Sequence, residues 1–169
     1  MELVFPTINM KQAALGYRQE HFDHGETDIH GDGGLDYAET YEEWLEKINA
    51  DLTYTTDESR VPASIWFAVA DGEIVGVIQV RHVLNTHLRN DGGHIGYGVR
   101  PSRRRKGYAT QMLALALEKC RGLGIDKALV TCGKTNIASA KIIISNGGML
   151  DSEYLDDSGA VCQRYWISL

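Results

Sequence analysis

Val99-Arg100-Pro101-Ser102-Arg103-Arg104-Arg105-Lys106-Gly107-Tyr108-Ala109-Thr110 puts five cations into seven positions, between an apolar strand candidate and the start of an amphipathic helix. A helix start presents unpaired backbone N–H groups and the positive end of the helix dipole, a combination that favours an anion. Gly107 lets the backbone approach a bulky phosphate, Ala109 keeps the first turn open, and Pro101 fixes the exit from the strand. The spacing is not that of a P-loop, because G-x-x-x-x-G-K-[ST] is missing, nor of a dinucleotide fingerprint, because G-x-G-x-x-G is missing. A solvated basic loop or a nucleic-acid patch would need neither Gly107 nor Ala109 nor this placement. The implied ligand carries a pyrophosphate.

Working outward, His94–Val99 reads as the strand before this knot and Tyr108–Arg121 as the helix after it. Ala109, Met112, Leu113, Ala116, Leu117 and Cys120 recur at helical spacing on that helix. Gly122 and Gly124 end it. Ala128–Cys132 reads as a buried strand, Asn136–Ser145 as a shorter helix closed by Asn146-Gly147-Gly148, and Met149–Leu155 with Val161–Ser168 as a final hairpin. On the N-terminal side the pattern predicts a strand at Leu3–Phe5, a helix over Met10–Phe22, a loop over 23–36, a helix over Tyr37–Leu52 and a loop over 53–63. A hairpin of Ser64–Ala70 with Ile74–Val80 follows about Asp71-Gly72, then a polar loop over 84–93. The order β-α-α-β-β-β-α-β-α-β-β, with no repeat and no linker, predicts one α/β domain over residues 1–169.

Composition narrows the function classes. The chain has 169 residues, 43% apolar and 24% charged, with a net charge of −6. That balance argues against general nucleic-acid affinity, and no apolar run approaches the ~20 residues of a membrane span. The start, MELVFPTINMKQ, lacks the basic and apolar regions of a secretory signal. Three widely spaced cysteines, Cys120, Cys132 and Cys162, read as reduced thiols of a cytoplasmic protein. The charge is unevenly spread: residues 20–51 hold eleven acids and one base, a net −10, which leaves the rest of the chain at +4.

Arg104-Arg105-Lys106-Gly107-Tyr108-Ala109 resembles the R/Q-x-x-G-x-G/A signature of the GNAT N-acetyltransferases. Ile95-Gly96-Tyr97-Gly98-Val99-Arg100-Pro101 before it, and Asn136-Ile137-Ala138-Ser139-Ala140 with Asn146-Gly147-Gly148 after it, extend the resemblance in order over about 64–168. It implies a single-domain fold with a mixed, mostly antiparallel sheet, a central splayed pair of parallel strands (94–99 and 128–132), and helices on both faces. It also implies acetyl-CoA as cosubstrate, with no metal. Val99 would pair with the pantetheine arm. Arg104, Arg105, Lys106, Gly107, Tyr108, Ala109 and Thr110 would hold the pyrophosphate, and Asn136 would approach the arm near its sulfur.

The chemistry so implied is transfer of an acetyl group to a primary amine of a small molecule or peptide, by direct attack in a ternary complex. An alkylamine of pKa ~10.4 is rarely neutral at pH 7, a cost of about 4–5 kcal/mol, so a base is needed. No carboxylate lies on strand 94–99, which leaves His94 or a water chain as the candidate base. Asn136 and Ser139, one helical turn apart, are the other catalytic candidates. Asn136 also reads as an ordinary helix N-cap and His94 as a satisfied polar residue of a strand start. The family often places a Tyr acid seven residues after the Asn; here Ile143 stands there, and Tyr97, Tyr108 or Ser139 is left to substitute. The departure keeps open a second reading, a catalytically weak sensor or scaffold that binds acetyl-CoA.

The resemblance also makes the two N-terminal helices and their loop the acceptor wall. That is the −10 segment, whose charge suits a cationic acceptor but equally describes a solvated face. His21, Asp23, His24 and His30 are too loosely spaced to favour a metal site. A homodimer is compatible with the resemblance; neither nucleic acid nor membrane is an expected partner.

Overall fold

The structure is a computed structural model that describes residues 1–53 and 60–169. Among the described residues, seven strands and five helices follow in the order β1 (Glu2–Val4), α1 (Lys11–Asp23), α2 (Tyr41–Ala50), β2 (Ala63–Ala70), β3 (Glu73–Arg81), α3 (Thr86–Asn90), β4 (Ile95–Val99), α4 (Tyr108–Gly122), β5 (Lys127–Gly133), α5 (Ile137–Ser145), β6 (Met149–Leu155) and β7 (Val161–Ser168). Part of the loop expected over 53–63 lies outside the described residues. Strands β1-β2-β3-β4 form one antiparallel sheet and β5-β7-β6 a second.

β4 and β5 are joined by the α4 crossover, the kind of connection that parallel neighbours require. They splay rather than pair: among the described residues no ladder joins them. An isolated bridge of antiparallel geometry links Gly93 to Val130, and the His94 N–H donates to Leu129 O (2.7 Å).

Helices cover both faces, as strand alternation dictates. Ile65 and Phe67 of β2 and Val77 of β3 pack against Ala14 and Tyr17 of α1 and Tyr41, Trp44 and Ile48 of α2. Trp66, Ala68, Ile78 and Val80 face the other way, onto Met112, Leu113, Ala116 and Leu117 of α4 and Ala140 and Ile143 of α5. Val75 is an extra residue in β3, because Ala68 pairs with Gly76 and Val69 with Ile74. This bulge lets Ile74 and Val75 feed opposite cores. A fully buried side chain of this kind stabilises by roughly 1.5–3 kcal/mol, so both cores matter.

Most ends shift by a residue, and three differences from the sequence reading are larger or have a local cause. Helix α2 begins at Tyr41 instead of Tyr37, because Thr40 and Glu43 form a reciprocal capping box. The expected loop over 84–93 contains α3, which is capped by Asn85 and anchored by buried Leu88. Asn136 precedes α5 as its N-cap.

Candidate active site

The basic knot folds as a 3-10 turn over Pro101–Arg103 followed by a tight loop into α4. Arg105 (φ 59°) and Gly107 (φ 81°) both adopt left-handed backbone. An added Cβ at Gly107 would meet nothing within 4 Å, so the glycine serves this backbone turn and leaves open space above it. Among the described residues no backbone N–H from Arg105 to Thr110 has a hydrogen-bond partner; the first bond of the helix is Gln111 N–H to Gly107 O (3.2 Å). Six adjacent donors are therefore available to an anion, at a helix start and on alternating left-handed turns. These donors and the open space fit a pyrophosphate.

The cations are more divided than their spacing suggests. Arg100 is bound by Glu20 (3.0 Å) and Glu73 (3.1 Å), and its Nε donates to Ile74 O. Arg103 pairs with Glu73, and Arg104 grips both carboxylate oxygens of Glu26. Arg104 Nε also donates to Val99 O (3.0 Å). Lys106 reaches Ser102 O (3.2 Å), and no carboxylate lies within 4.0 Å of Lys106 or Arg105 among the described residues. The knot is thus partly neutralised by acids of the 20–51 segment, and Arg105 with Lys106 carries its net charge.

The splay between β4 and β5 continues from this loop. Arg100 N–H donates to Val75 O, so by strand alternation the backbone groups of Val99 and Tyr97 turn away from β3 toward the gap. Val99 O is already taken by Arg104, which leaves the Val99 and Tyr97 N–H groups as donors there. Tyr97 Oη and Ser139 Oγ hydrogen-bond across the gap (2.9 Å). Burial pushes the Tyr97 hydroxyl up to about 12, with the Ser139 bond opposing, so it stays protonated. Cys132 lines the same region, its thiol pushed up by burial. Asn136 caps α5 through Oδ1, which accepts from Ser139 N–H (3.0 Å). The structure therefore brings Tyr97, Asn136 and Ser139 together. Ile143 is fully buried in the core and offers no acid.

His94 is not part of this group. It sits at the opposite end of β4, where its Nδ1 accepts from Leu129 N–H (2.9 Å) and its ring packs edge-on against Trp166. Burial, then the charges of Arg89 and Arg81, push it down to about 4. Its contacts make it the fastener that joins the two sheets. The sequence signal for this was weak: a polar residue at a strand start, followed 35 positions later by its partner.

The α1–α2 loop lies over the other face of β4. Gly31 rests directly on the strand: a Cβ there would stand 2.2 Å from Gly96 O. Asp32 organises the loop, its carboxylate accepting from Gly34 N–H and Asp36 N–H (both 2.7 Å) while its carbonyl accepts from Trp44 Nε1 (2.8 Å). Burial and the nearby Asp36 push the Asp32 carboxyl up to about 7, against these bonds. Between loop and sheet lies a cavity of about 370 Å³, walled by Asp28, Asp32 and Asp36 of the loop, Lys47 of α2, and Gln79 and Arg81 of β3. No three His, Cys, Asp or Glu groups converge as a metal cluster among the described residues. His21 is turned to Glu26 (2.8 Å) and His24 to Glu20 O (2.7 Å).

Known proteins share this architecture. RimL, a ribosomal L7/L12 alpha-N-protein acetyltransferase in complex with coenzyme A, matches at 17% identity over 99% of this chain and 93% of its own, with a TM-score of 0.71. Mycobacterium smegmatis RimJ, in complex with CoA-disulfide, matches at 22% identity over 98% and 80%, with a TM-score of 0.72. Salmonella typhimurium YncA, with its cofactor acetyl-CoA, matches at 14% identity over 99% and 93%, with a TM-score of 0.70. No curated protein sequence matches the chain significantly. Identities this low speak for the fold. The family model described as the acetyltransferase (GNAT) family matches residues 33–143. That match covers more than half of the chain, and the chain belongs to the GNAT acetyltransferase family.

Proposed function

We propose that the protein transfers the acetyl group of acetyl-CoA to a primary amine of a small molecule or peptide, with both substrates bound at once. The observation that carries this is the run of unpartnered N–H groups from Arg105 to Thr110, which leads into the gap lined by Tyr97 and Ser139. When bound, acetyl-CoA supplies an acetyl group activated as a thioester. The loop N–H groups, with Arg105 and Lys106, hold its phosphates, and Thr110 extends the donor row. The Val99 and Tyr97 N–H groups orient a carbonyl oxygen in the gap. Asn136 keeps its Nδ2 donors for the cofactor arm, since only Oδ1 is used by the cap. The Tyr97–Ser139 pair holds a proton on the leaving side of the gap. His94 is fixed at the far end of β4 and takes no part in this reading; removal of the amine proton falls to water between the acceptor wall and the strand.

The acceptor enters from the α1–α2 side, where the cavity lies between the loop and Gln79 and Arg81 of β3. Free Cys120, Cys132 and Cys162 suit a reducing, cytoplasmic location. No helix among the described residues is long and apolar enough to cross a membrane. A homodimer would cover Met149, Leu150 and Leu155, exposed on the edge strand β6.

Calorimetry with acetyl-CoA, followed by CoA release across polyamines, aminoglycosides, amino acids and peptides, tests the reading. Micromolar binding with turnover of at least one amine class is expected. Binding without turnover across the whole panel would favour a sensor or scaffold, and no binding of acetyl-CoA would remove both readings.

A further inference from the structure

Among the described residues, every cation that lines the acceptor cavity has a carboxylate close by, with one exception. Lys47 lies 3.8 Å from Asp51 and donates to Gly33 O, and Arg60 pairs with Asp51. Arg81 has no carboxylate within 4.0 Å among the described residues. It ends β3 on the same face as Gln79, which pairs with Gly96 of β4. Its NH1 donates to the carbonyls of Gly92 (3.3 Å) and Gly93 (3.1 Å), which pins the guanidinium in place. NH2 makes no hydrogen bond and lies 4.0 Å from the point a side chain at Gly96 would occupy. A methyl group at Gly96 would already be in van der Waals contact with NH2. Burial weakens the hold of Arg81 on its charge, with only the more distant Asp91 opposing.

A desolvated guanidinium that is anchored by one nitrogen and open at the other is a carboxylate receptor, because the planar fork can take an anion edge-on. The facing wall supplies the opposite sign through Asp28 and Asp36, which border the same cavity. Its volume, about 370 Å³, lies at the small end of the range for metabolite pockets. We infer that the acceptor is a zwitterion of the amino-acid class, its carboxylate held by Arg81 and its ammonium turned to the acidic loop. The inference rests on the amine acetyltransferase reading above and narrows the acceptor from amines in general to carboxylate-bearing amines. An acid-lined pocket that wanted polyamines would gain nothing from a half-buried arginine with no carboxylate beside it. The cation instead rejects acceptors that lack a carboxylate, by leaving its own desolvated donor unpaired.

The test compares matched pairs, each an L-amino acid and its carboxamide, drawn from apolar, polar and basic side chains, with polyamines alongside. Two readouts are taken: CoA release with acetyl-CoA, and equilibrium binding of the amino acids to the CoA-loaded protein by calorimetry. Wild-type protein should favour the carboxylate member of a pair at least tenfold in kcat/KM. Arg81→Gln should collapse that ratio toward one, and Arg81→Lys should restore part of it; a ratio within one variant is unaffected by how much of that variant is folded. An unchanged ratio in Arg81→Gln, or no preference in wild type, overturns the inference. So does acetylation of polyamines with no amino acid either acetylated or bound, which leaves the amine acetyltransferase reading intact. Amino-acid binding that is lost in Arg81→Gln, with no CoA release from any amine, supports the carboxylate site while removing the transferase reading. Neither binding nor release with any compound removes both.

Discussion

Arg104 and Glu26 meet side by side, each terminal guanidinium nitrogen 2.5 Å from one carboxylate oxygen, and so tie the loop before α4 to the α1–α2 loop 78 residues earlier in the chain. Glu26 also takes the Nδ1 side of buried His21 (2.8 Å), while Arg104 reaches Val99 O (3.0 Å). One carboxylate therefore sits between the two halves of the site. The Arg104 hydrogen bonds hold Glu26 down at about 2.

Removing either partner should have unequal effects. Glu26→Ala leaves the His21 ring without its partner in a buried setting and should destabilise by about 1–3 kcal/mol. Arg104→Gln leaves Glu26 its bond to His21 and loses a partly exposed ion pair, so about 0–1 kcal/mol is expected. Urea midpoints at constant m-value measure both. The Glu26 contribution should be complete above the ordinary carboxylate range and be lost as pH falls toward 2, because the folded-state value lies below the unfolded one.

Two roles of Asn136 can be separated by substitution. Asn136→Ala removes the cap and should cost about 0.5–2 kcal/mol of stability. Asn136→Asp keeps an oxygen for Ser139 N–H but loses the amide donors, so it should keep stability while weakening acetyl-CoA binding several-fold. Equal binding by wild type and Asn136→Asp, measured by calorimetry, would leave the cap as its whole function. Ser139→Ala should lower kcat about tenfold or more and alter its pH profile; an unchanged profile would remove Ser139 from the chemistry.

Gly31→Ala tests the seating of the acceptor loop. The new Cβ would meet Gly96 O at 2.2 Å, on a backbone with φ 82°, so the loop must lift. A loss of roughly 1–3 kcal/mol in stability is expected. The acceptor kcat/KM should fall at least tenfold while acetyl-CoA binding holds within about threefold, since the phosphate loop is untouched.

His94 makes a pH prediction of definite sign. Its folded-state value is pushed below the ordinary histidine range, to about 4. Its stabilising part is complete above about pH 6.5. That part declines as pH falls toward 4, because the unfolded chain takes up the proton first. Thermal unfolding between pH 7 and 4 should show this decline, and His94→Gln should flatten it while lowering the melting temperature at pH 7.

What could be read in the sequence was local. Gly107 and Ala109 after a basic run, the periodic face of α4, and Asn136 three residues before Ser139 each declare themselves within a few positions. The Thr40–Glu43 box was equally local, yet Tyr37 falls in phase with the helix and obscured the true start. Helix α3 is too short to show a period and depends on Asn85 and one buried leucine. The partners of Arg100 and Arg104 lie 80 and 78 residues away, so their charges looked free until the fold paired them. The setting of Arg81 is of the same kind: no carboxylate lies within 4.0 Å of it among the described residues, which no linear pattern records.

The contact of Gly31 with Gly96 has a consequence for how such a protein diversifies. The α1–α2 loop is seated on the sheet by the main-chain contact of Gly31 with Gly96 and by the buried side chains of Ile29 and Leu35, none of which lies at the exposed positions of the loop. Positions 28, 30 and 37, which face solvent or the cavity mouth, can then change identity without shifting the height of the wall. Substrate choice and scaffold geometry are thereby uncoupled. A chain built this way can be re-targeted by a few exposed substitutions while the donor side of its chemistry stays as it is.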